Sequence, residues 1–296
     1  KPNYVEALTN LGVAYLDLKK YERSLEYFDK VLATDPLYVK AISQKLYLMR
    51  KICDWEEENF LNKNLNLIND SKVEVTPWQL LSLDDDPNTE LIRAKKYGEQ
   101  FLFEDIKTKY KNSKIKLAYF SSDFYEHAGM INMEGIFKHH DKNKFEIFAY
   151  DYGHFHNDTT HQRIKKYFDH FVYIDQISDD EVVKMIRENK IDIAIHRNGY
   201  SQNSRNSLFA KKIAPLQISF LGYPGTMGVR FIDYIIADKI VIPEKNKKFF
   251  SENIIYMPNT YYPTNNERKI SVKNFNKQDL KIDNDTFVFG SFNNSY

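Results

Sequence analysis

The stretch IDIAIHRNGYSQNSRNSLFAKKIAPLQISFLGYPGTMG, Ile191 to Gly228, decides the fold. It contains two short apolar runs, Ile191–Ile195 and Leu216–Leu221, separated by a polar loop and a helix-compatible segment. Short apolar runs bounded by turn signals read as strands buried in a parallel sheet. Both runs end in loops rich in glycine and polar groups. In an open α/β sheet ligands bind beyond the carboxyl ends of the strands, where helix N-termini and free backbone N–H groups converge. His196–Arg205 and Gly222–Gly228 are therefore the first places to look for chemistry.

Working outward, the segment from Lys114 alternates strands and helices. Ile115–Ser122, Phe145–Tyr152, Phe171–Ile174, Phe231–Ala237 and Asn253–Tyr256 read as strands. Met130–His139 and Thr160–Phe168 read as helices, and Ser178-Asp-Asp-Glu181 is a capping box opening another that runs to about Asn189. This order predicts a mostly parallel sheet covered on both faces, a Rossmann-like domain.

Upstream, Leu8, Leu11, Gly12, Tyr15, Tyr21, Ser24, Phe28, Val31 and Pro36 fall on the spacing of a tetratricopeptide unit. Val39–Lys51 starts a second, degenerate unit with Trp55 in the place of Tyr21. Such units cannot bury their faces alone, so two imply more repeats upstream or docking on the next domain. Residues 57–112 read as mostly helical, broken at Val75–Trp78 and at Asp84–Pro87. The aspartates before Pro87 are expected to cap a helix rather than bind a metal. The expected division is helical repeats in 1–70, a helical connector in 71–112, a Rossmann-like lobe in 113–262, and a linker with the first strand of a further lobe in 263–296. That last strand is Thr286–Ser291, and a strand opening there implies that a second lobe is missing. Lys1-Pro2, without a Met, suggests a cut N-terminus.

With 296 residues and 42% apolar content, the chain can build one large or two ordinary cores. Lys plus Arg is 42 against 41 for Asp plus Glu, which gives no overall pull toward nucleic acid or an anionic membrane. No apolar run approaches the roughly 20 residues of a membrane helix. The single cysteine, Cys53, excludes an internal disulfide and fits a reducing, cytoplasmic setting.

Three loops carry chemistry. Ser121–His127 offers a carboxylate, Asp123, and an imidazole, His127, beside serine hydroxyls, a set suited to general acid–base work. The structural alternative is that Asp123 caps the following helix. His196–Ser201 and Gly222–Gly228 are the second and third loops. Glycines three apart after a strand allow backbone N–H groups to approach a phosphate or sugar, but no dinucleotide fingerprint is present. A nucleotide-dependent oxidoreductase therefore ranks last. His154, His156, Asp158 and His161 lie close in sequence without a zinc-ligand pattern, so no metal site is expected.

Taken together, SSDFxxH, NGYSxxxRNxxFA, KxAPLQISFLGYPGTMG and FIDYIIAD resemble the first catalytic lobe of the tetratricopeptide-containing protein O-GlcNAc transferases, the SPINDLY-like glycosyltransferases, in their bacterial style. Cys53-Asp-Trp55, Pro77–Leu83 and Asp86-Pro87 extend the resemblance over nearly the whole chain. It implies α repeats followed by one lobe of a two-lobed, GT-B type glycosyltransferase. The implied reaction is inverting transfer, most often of GlcNAc, from a UDP-sugar to a Ser or Thr hydroxyl of a protein, with no metal or other cofactor. Some relatives glucosylate asparagine instead. The partners it implies are an acceptor protein presented along the repeats and UDP-GlcNAc or another UDP-hexose. By the resemblance, His127 is a base or an acceptor-positioning group. Asn198, Gly199, Tyr200 and Ser201 lie near the donor sugar, with Ser201 replacing the usual Thr, and Gly222, Tyr223, Pro224, Gly225 and Thr226 line the sugar and acceptor side. Asp123 joins this set.

The sequence departs from the family in three ways. His196 stands where relatives generally carry Asp or Asn; it is expected to add a second imidazole to the cleft, one that either serves catalysis or marks its loss. Ala-Gly-Met follows His127 where a Pro is common. The residues holding uracil and diphosphate belong mainly to the second lobe, so this fragment alone is expected to be inactive. The competing expectation is a non-catalytic repeat-protein scaffold.

Overall fold

The computed structural model describes residues 4–70, 75–83, 85–105, 109–267 and 271–290. The chain begins with four helices, α1 (Val5–Asp17), α2 (Tyr21–Thr34), α3 (Val39–Lys51) and α4 (Glu57–Asp70). Gly12 is where α1 and α2 approach most tightly, since a Cβ there would lie 2.5 Å from the Phe28 ring. Ser24 donates its hydroxyl to the Gly12 carbonyl at 2.7 Å. Serine at this repeat position thus adds a hydrogen bond between the helices while remaining small. Trp55 does not repeat the packing of Tyr21. It is 77% exposed just before α4.

Helices α5 (Pro77–Leu80) and α6 (Pro87–Gly98) both begin on a proline, where the missing N–H is one the helix leaves unpaired anyway. Asp86 caps α6, accepting from the N–H groups of Asn88 and Thr89 at 3.1 and 3.2 Å. Asp84 lies outside the described residues. Beyond Gly98 the helical expectation fails, because the described residues of 99–112 form turns and chain without regular secondary structure. Phe101 and Phe103 in this segment pack on Phe231, and Glu104 N–H donates to the Ala210 carbonyl. Packing on the sheet domain replaces an intrahelical ladder.

The remaining elements alternate as the sequence predicts: β1 (Ile115–Ser121), α7 (Ala128–Lys138), β2 (Phe145–Asp151), α8 (Thr159–Lys165), β3 (His170–Tyr173), α9 (Asp179–Glu188), β4 (Ile193–His196), α10 (Asn206–Ala210), β5 (Leu216–Ser219), β6 (Tyr234–Ala237) and β7 (Asn253–Tyr256). The 7-stranded sheet has the order β3-β2-β1-β4-β5-β6-β7, with every neighbouring pair parallel. Alternate residues of β1 feed two cores. Ala118 and Phe120 join Phe148, Tyr150 and Phe209 on one face, while Leu117 and Tyr119 join Phe137 and Phe168 on the other. The capping box at Ser178 and Glu181 forms in full.

Strand β5 stops at Ser219, short of the expected Leu221, because Leu221 adopts φ +74° and turns the chain out of the sheet. At the far end, the described residues 286–290 pair with no strand, and Phe287 and Phe289 are exposed. Ser291 lies outside the described residues. No helix among the described residues is long and apolar enough to cross a membrane.

Candidate functional site

The strand order reverses between β1 and β4, the switch point at which an open α/β sheet splays its loops and leaves a crevice. Ser121 at the end of β1 lies opposite Asp151 of β2, and Phe120 lies opposite His196 of β4. The first two candidate loops therefore leave the sheet side by side.

Asn198 ties them together. Its side-chain oxygen accepts from Ser121 Oγ at 3.0 Å, Tyr152 Oη at 3.0 Å and the Ser122 N–H at 3.3 Å, and its amide donates to Ser122 Oγ at 2.9 Å and Asp123 Oδ2 at 3.1 Å. Asn198 is 1% exposed, and its hydrogen-bonding capacity is used up inside the protein. Expected as a sugar contact, it acts here as a buried tie between loops. Asp123 also pairs with Arg197, whose side chain is 5% exposed. Asp123 does not cap α7.

That cap is His127. Its Nδ1 accepts from the Gly129 N–H at 3.1 Å, and Arg197 Nη2 lies 3.5 Å from the same nitrogen. Burial lowers the imidazole's pKa, the Asp123 carboxylate opposes this, and the Arg197 guanidinium adds to it. His127 is half-buried. Gly129 makes the arrangement possible, since a Cβ there would meet Arg197 Nη2 at 1.6 Å.

His196 is placed differently from its expectation as a second catalytic imidazole. It is fully buried, stacked on Phe209 at 4.0 Å between ring centres, with Nε2 2.7 Å from Asn206 Oδ1. Burial pushes its pKa down to about 4. The physical reason is strand register, because His196 is the last residue of β4 and its side chain falls on the face that packs against α10.

The third loop is packed from beneath. Tyr200 is 1% and Tyr223 3% exposed, their rings meet edge to face at 5.5 Å, and Tyr200 Oη donates to the Met227 carbonyl at 2.6 Å. Both tyrosines, expected as ligand contacts, are core residues. Gly199 has φ +53°, and a Cβ on it would strike the Tyr223 Cβ at 2.4 Å. A Cβ on Gly222 would lie 2.0 Å from the Arg197 carbonyl oxygen. Thr226 donates to Glu252 Oε2 at 2.6 Å and accepts from the N–H groups of Gly228 and Ser251 at 3.2 and 3.1 Å, so its hydroxyl is also fully satisfied. Glu252 accepts from the Met227 N–H at 2.6 Å as well. Gly225 is buried. Of the named residues, Pro224 is exposed and Asp123, His127, Ser201 and Gly222 are partly exposed, so these form the accessible rim.

Sequence reasoning missed three residues here. Arg197 joins the loops, its carbonyl abutting Gly222 while its guanidinium reaches Asp123 and His127. Glu252 anchors the glycine loop from the approach to β7. Asp151 is 2% exposed at the end of β2, and burial, with Asp123 adding to it, pushes its pKa up to about 7. The only signal for any of them was adjacency to a strand end. The three histidines after β2 diverge: His154 and His156, in the loop, face Asp175 and stack on Tyr125 respectively, while His161, within α8, sits between the Phe124 carbonyl and Tyr173 Oη. No group of three potential metal ligands converges among the described residues. A cavity of about 1370 Å³ lies at the opposite, amino-terminal ends of the strands, beside Ile115, Ile193 and Leu216.

A helical-repeat arm leading into a doubly wound sheet, with polar and glycine-rich loops at its switch point, defines a repeat-bearing Rossmann-type domain. Residues 92–288 match the model of glycosyl transferase family 41, and the chain belongs to that family. Residues 5–38 match the tetratricopeptide repeat. The chain is 27% identical over 279 residues to a probable UDP-N-acetylglucosamine–peptide N-acetylglucosaminyltransferase, SEC, of Arabidopsis thaliana, covering 85% of this chain and 28% of that protein. It is 34% identical over 177 residues to the UDP-N-acetylglucosamine–peptide N-acetylglucosaminyltransferase of Caenorhabditis elegans, covering 59% of this chain and 14% of that protein. A solved variant of the Thermobaculum terrenum O-GlcNAc transferase shares the fold, with a TM-score of 0.72 at 20% identity over 88% of this chain and 52% of that one. The chain thus spans only about a quarter or less of the length of these two curated relatives.

Proposed function

We propose that this chain is the repeat region and acceptor-side lobe of an inverting protein glycosyltransferase. It transfers a sugar, GlcNAc by preference, from a UDP-sugar to Ser or Thr hydroxyls of a protein, in the cytoplasm. Membership of glycosyl transferase family 41, together with a half-buried imidazole at a sheet switch point, carries this reading. His127 contacts the substrate, while Asp123, Ser201, Gly222 and Pro224 form the rim against which sugar and acceptor lie. Asn198, Tyr200, Tyr223 and Thr226 hold the rim in shape from inside, so substrate is positioned by preformed loops rather than by loops ordered on binding. The helical repeats present the acceptor protein. Uridine and diphosphate contacts come from a second lobe, without which this chain is inactive, and no metal takes part.

Incubating the full-length protein with UDP-GlcNAc and a Ser/Thr-containing peptide should add one sugar mass to the peptide. No transfer from any common UDP-hexose would sink the proposal. Transfer only to asparagine peptides would place the protein with the asparagine-glucosylating relatives. The scaffold alternative draws support from how many of the expected contact residues are committed internally, and calorimetry that finds no UDP binding to the full-length protein would favour it.

A further inference from the structure

We propose that Arg197 is a positioning residue that holds His127 in the tautomer with its proton on Nε2, making the imidazole a hydrogen-bond donor rather than a proton acceptor. Both donors near the ring address the same atom, with the Gly129 N–H at 3.1 Å and Arg197 Nη2 at 3.5 Å from Nδ1. A nitrogen facing two donors keeps its lone pair, so the proton of the neutral ring lies on Nε2. Charging the ring would set an N–H and a positive charge against the guanidinium.

The groups facing the imidazole come from three elements. Asp123, on the loop before α7, favours the cation, but it is the ion-pair partner of Arg197. Arg197 itself follows β4. The Tyr125 ring stands edge-on at 5.7 Å, and its own face is covered by His156, which follows β2. Two further observations bear on the guanidinium. It occupies the space a Cβ at position 129 would need, so glycine there lets Arg197 Nη2 approach the ring. The buried Arg197 Nε has no hydrogen-bond partner among the described residues, an unfavourable placement tolerated while the other end of the fork reaches Asp123 and His127.

A donor at Nε2 can bind an oxygen of the acceptor or sugar, but it cannot remove a proton from the acceptor hydroxyl. The identity of that oxygen rests on the glycosyltransfer reading, whereas the tautomer does not. The test is nitrogen NMR of the full-length protein carrying 15N-labelled histidine, with the His127 signal assigned by its loss in His127→Gln. We expect Nδ1 to resonate as a bare ring nitrogen and Nε2 as a protonated one. In Arg197→Met the titration midpoint of the ring should move up. A proton on Nδ1 in the unsubstituted protein overturns the proposal without any variant, and an unchanged midpoint in folded Arg197→Met does so independently. Transfer assays add a second readout. Gln can place an N–H near the Nε2 position and Asn cannot, so His127→Asn should lose about a hundredfold and His127→Gln clearly less. Equal losses would remove the donor role. If even the unsubstituted protein transfers nothing, the glycosyltransfer reading fails, while the NMR result still decides the tautomer.

Discussion

The ends of β1 and β4 lie side by side and each contributes a histidine, yet the two imidazoles belong to different worlds. His127 sits at a helix N-cap, half-exposed beside a buried guanidinium. His196 is sealed against Phe209 and bonded to Asn206. Both lie in loops or strand ends that looked equally reactive in sequence. The difference teaches that a residue well clear of its strand, at a helix N-cap, keeps part of its surface exposed, whereas the last residue within a strand is claimed by the core if its side chain points to a covered face.

The contrast predicts that changes in the sealed region act on stability and changes at the rim act on activity. The largest effect should come from Glu252→Ala, which orphans the buried Thr226 hydroxyl and Met227 N–H and should cost about 4 kcal/mol in denaturant melts. A loss below about 1 kcal/mol would mean that the glycine loop needs no anchor. His196→Ala should cost about 3 kcal/mol through lost packing and a lost buried hydrogen bond. A stable but inactive His196→Ala enzyme would reverse the comparison and restore the catalytic expectation for this residue. His127→Ala should instead lower transfer by the full-length protein about a hundredfold, with only about 1 kcal/mol lost from removing the cap. A stability loss as large as that of His196→Ala would erase the distinction between the two histidines.

The effect that is smallest per step is a pH slope. Asp151 keeps its proton up to about pH 7 in the folded protein, whereas an unfolded aspartate releases it near pH 4. Between those values the folded state binds more protons, so stability falls as pH rises, by at most about 1.4 kcal/mol per pH unit. His196 works in the opposite direction. Its folded pKa of about 4 lies below the unfolded value near 6.5, so its contribution is lost as pH falls through that window. Melts of Asp151→Asn across pH 4 to 7 should show its stability rising relative to the unsubstituted protein as pH increases. A difference that does not change with pH would show that Asp151 is ionised throughout.

Much of the architecture was legible in sequence because burial imposes periodicity. The seven strands of the sheet, with ends shifted by a few residues, the capping box at Ser178 and the Gly12–Phe28 approach of the first repeat fell where pattern and size placed them, whereas the strand expected from Thr286 did not form among the described residues. The connector beyond Gly98 was not legible, since Phe101 and Phe103 are equally compatible with an amphipathic helix and with irregular chain packed on Phe231. The site was half legible. The loops were found, but side-chain direction within them was not. Asn198, Tyr200, Tyr223 and Thr226 turn inward, and Arg197 and Glu252, which nothing local distinguished, hold the loops in place.

The sequence by itself determined the family, the order of repeats and sheet, and the two strand ends at which the candidate loops leave the sheet, because these depend on local pattern and on glycines that only a close approach requires. Tertiary structure alone decided which polar side chains are free to meet a ligand. That choice depends on contacts between residues far apart in the chain: Asp123 with Arg197, Thr226 with Glu252, and His196 with Phe209 across a strand register that one residue's shift would invert.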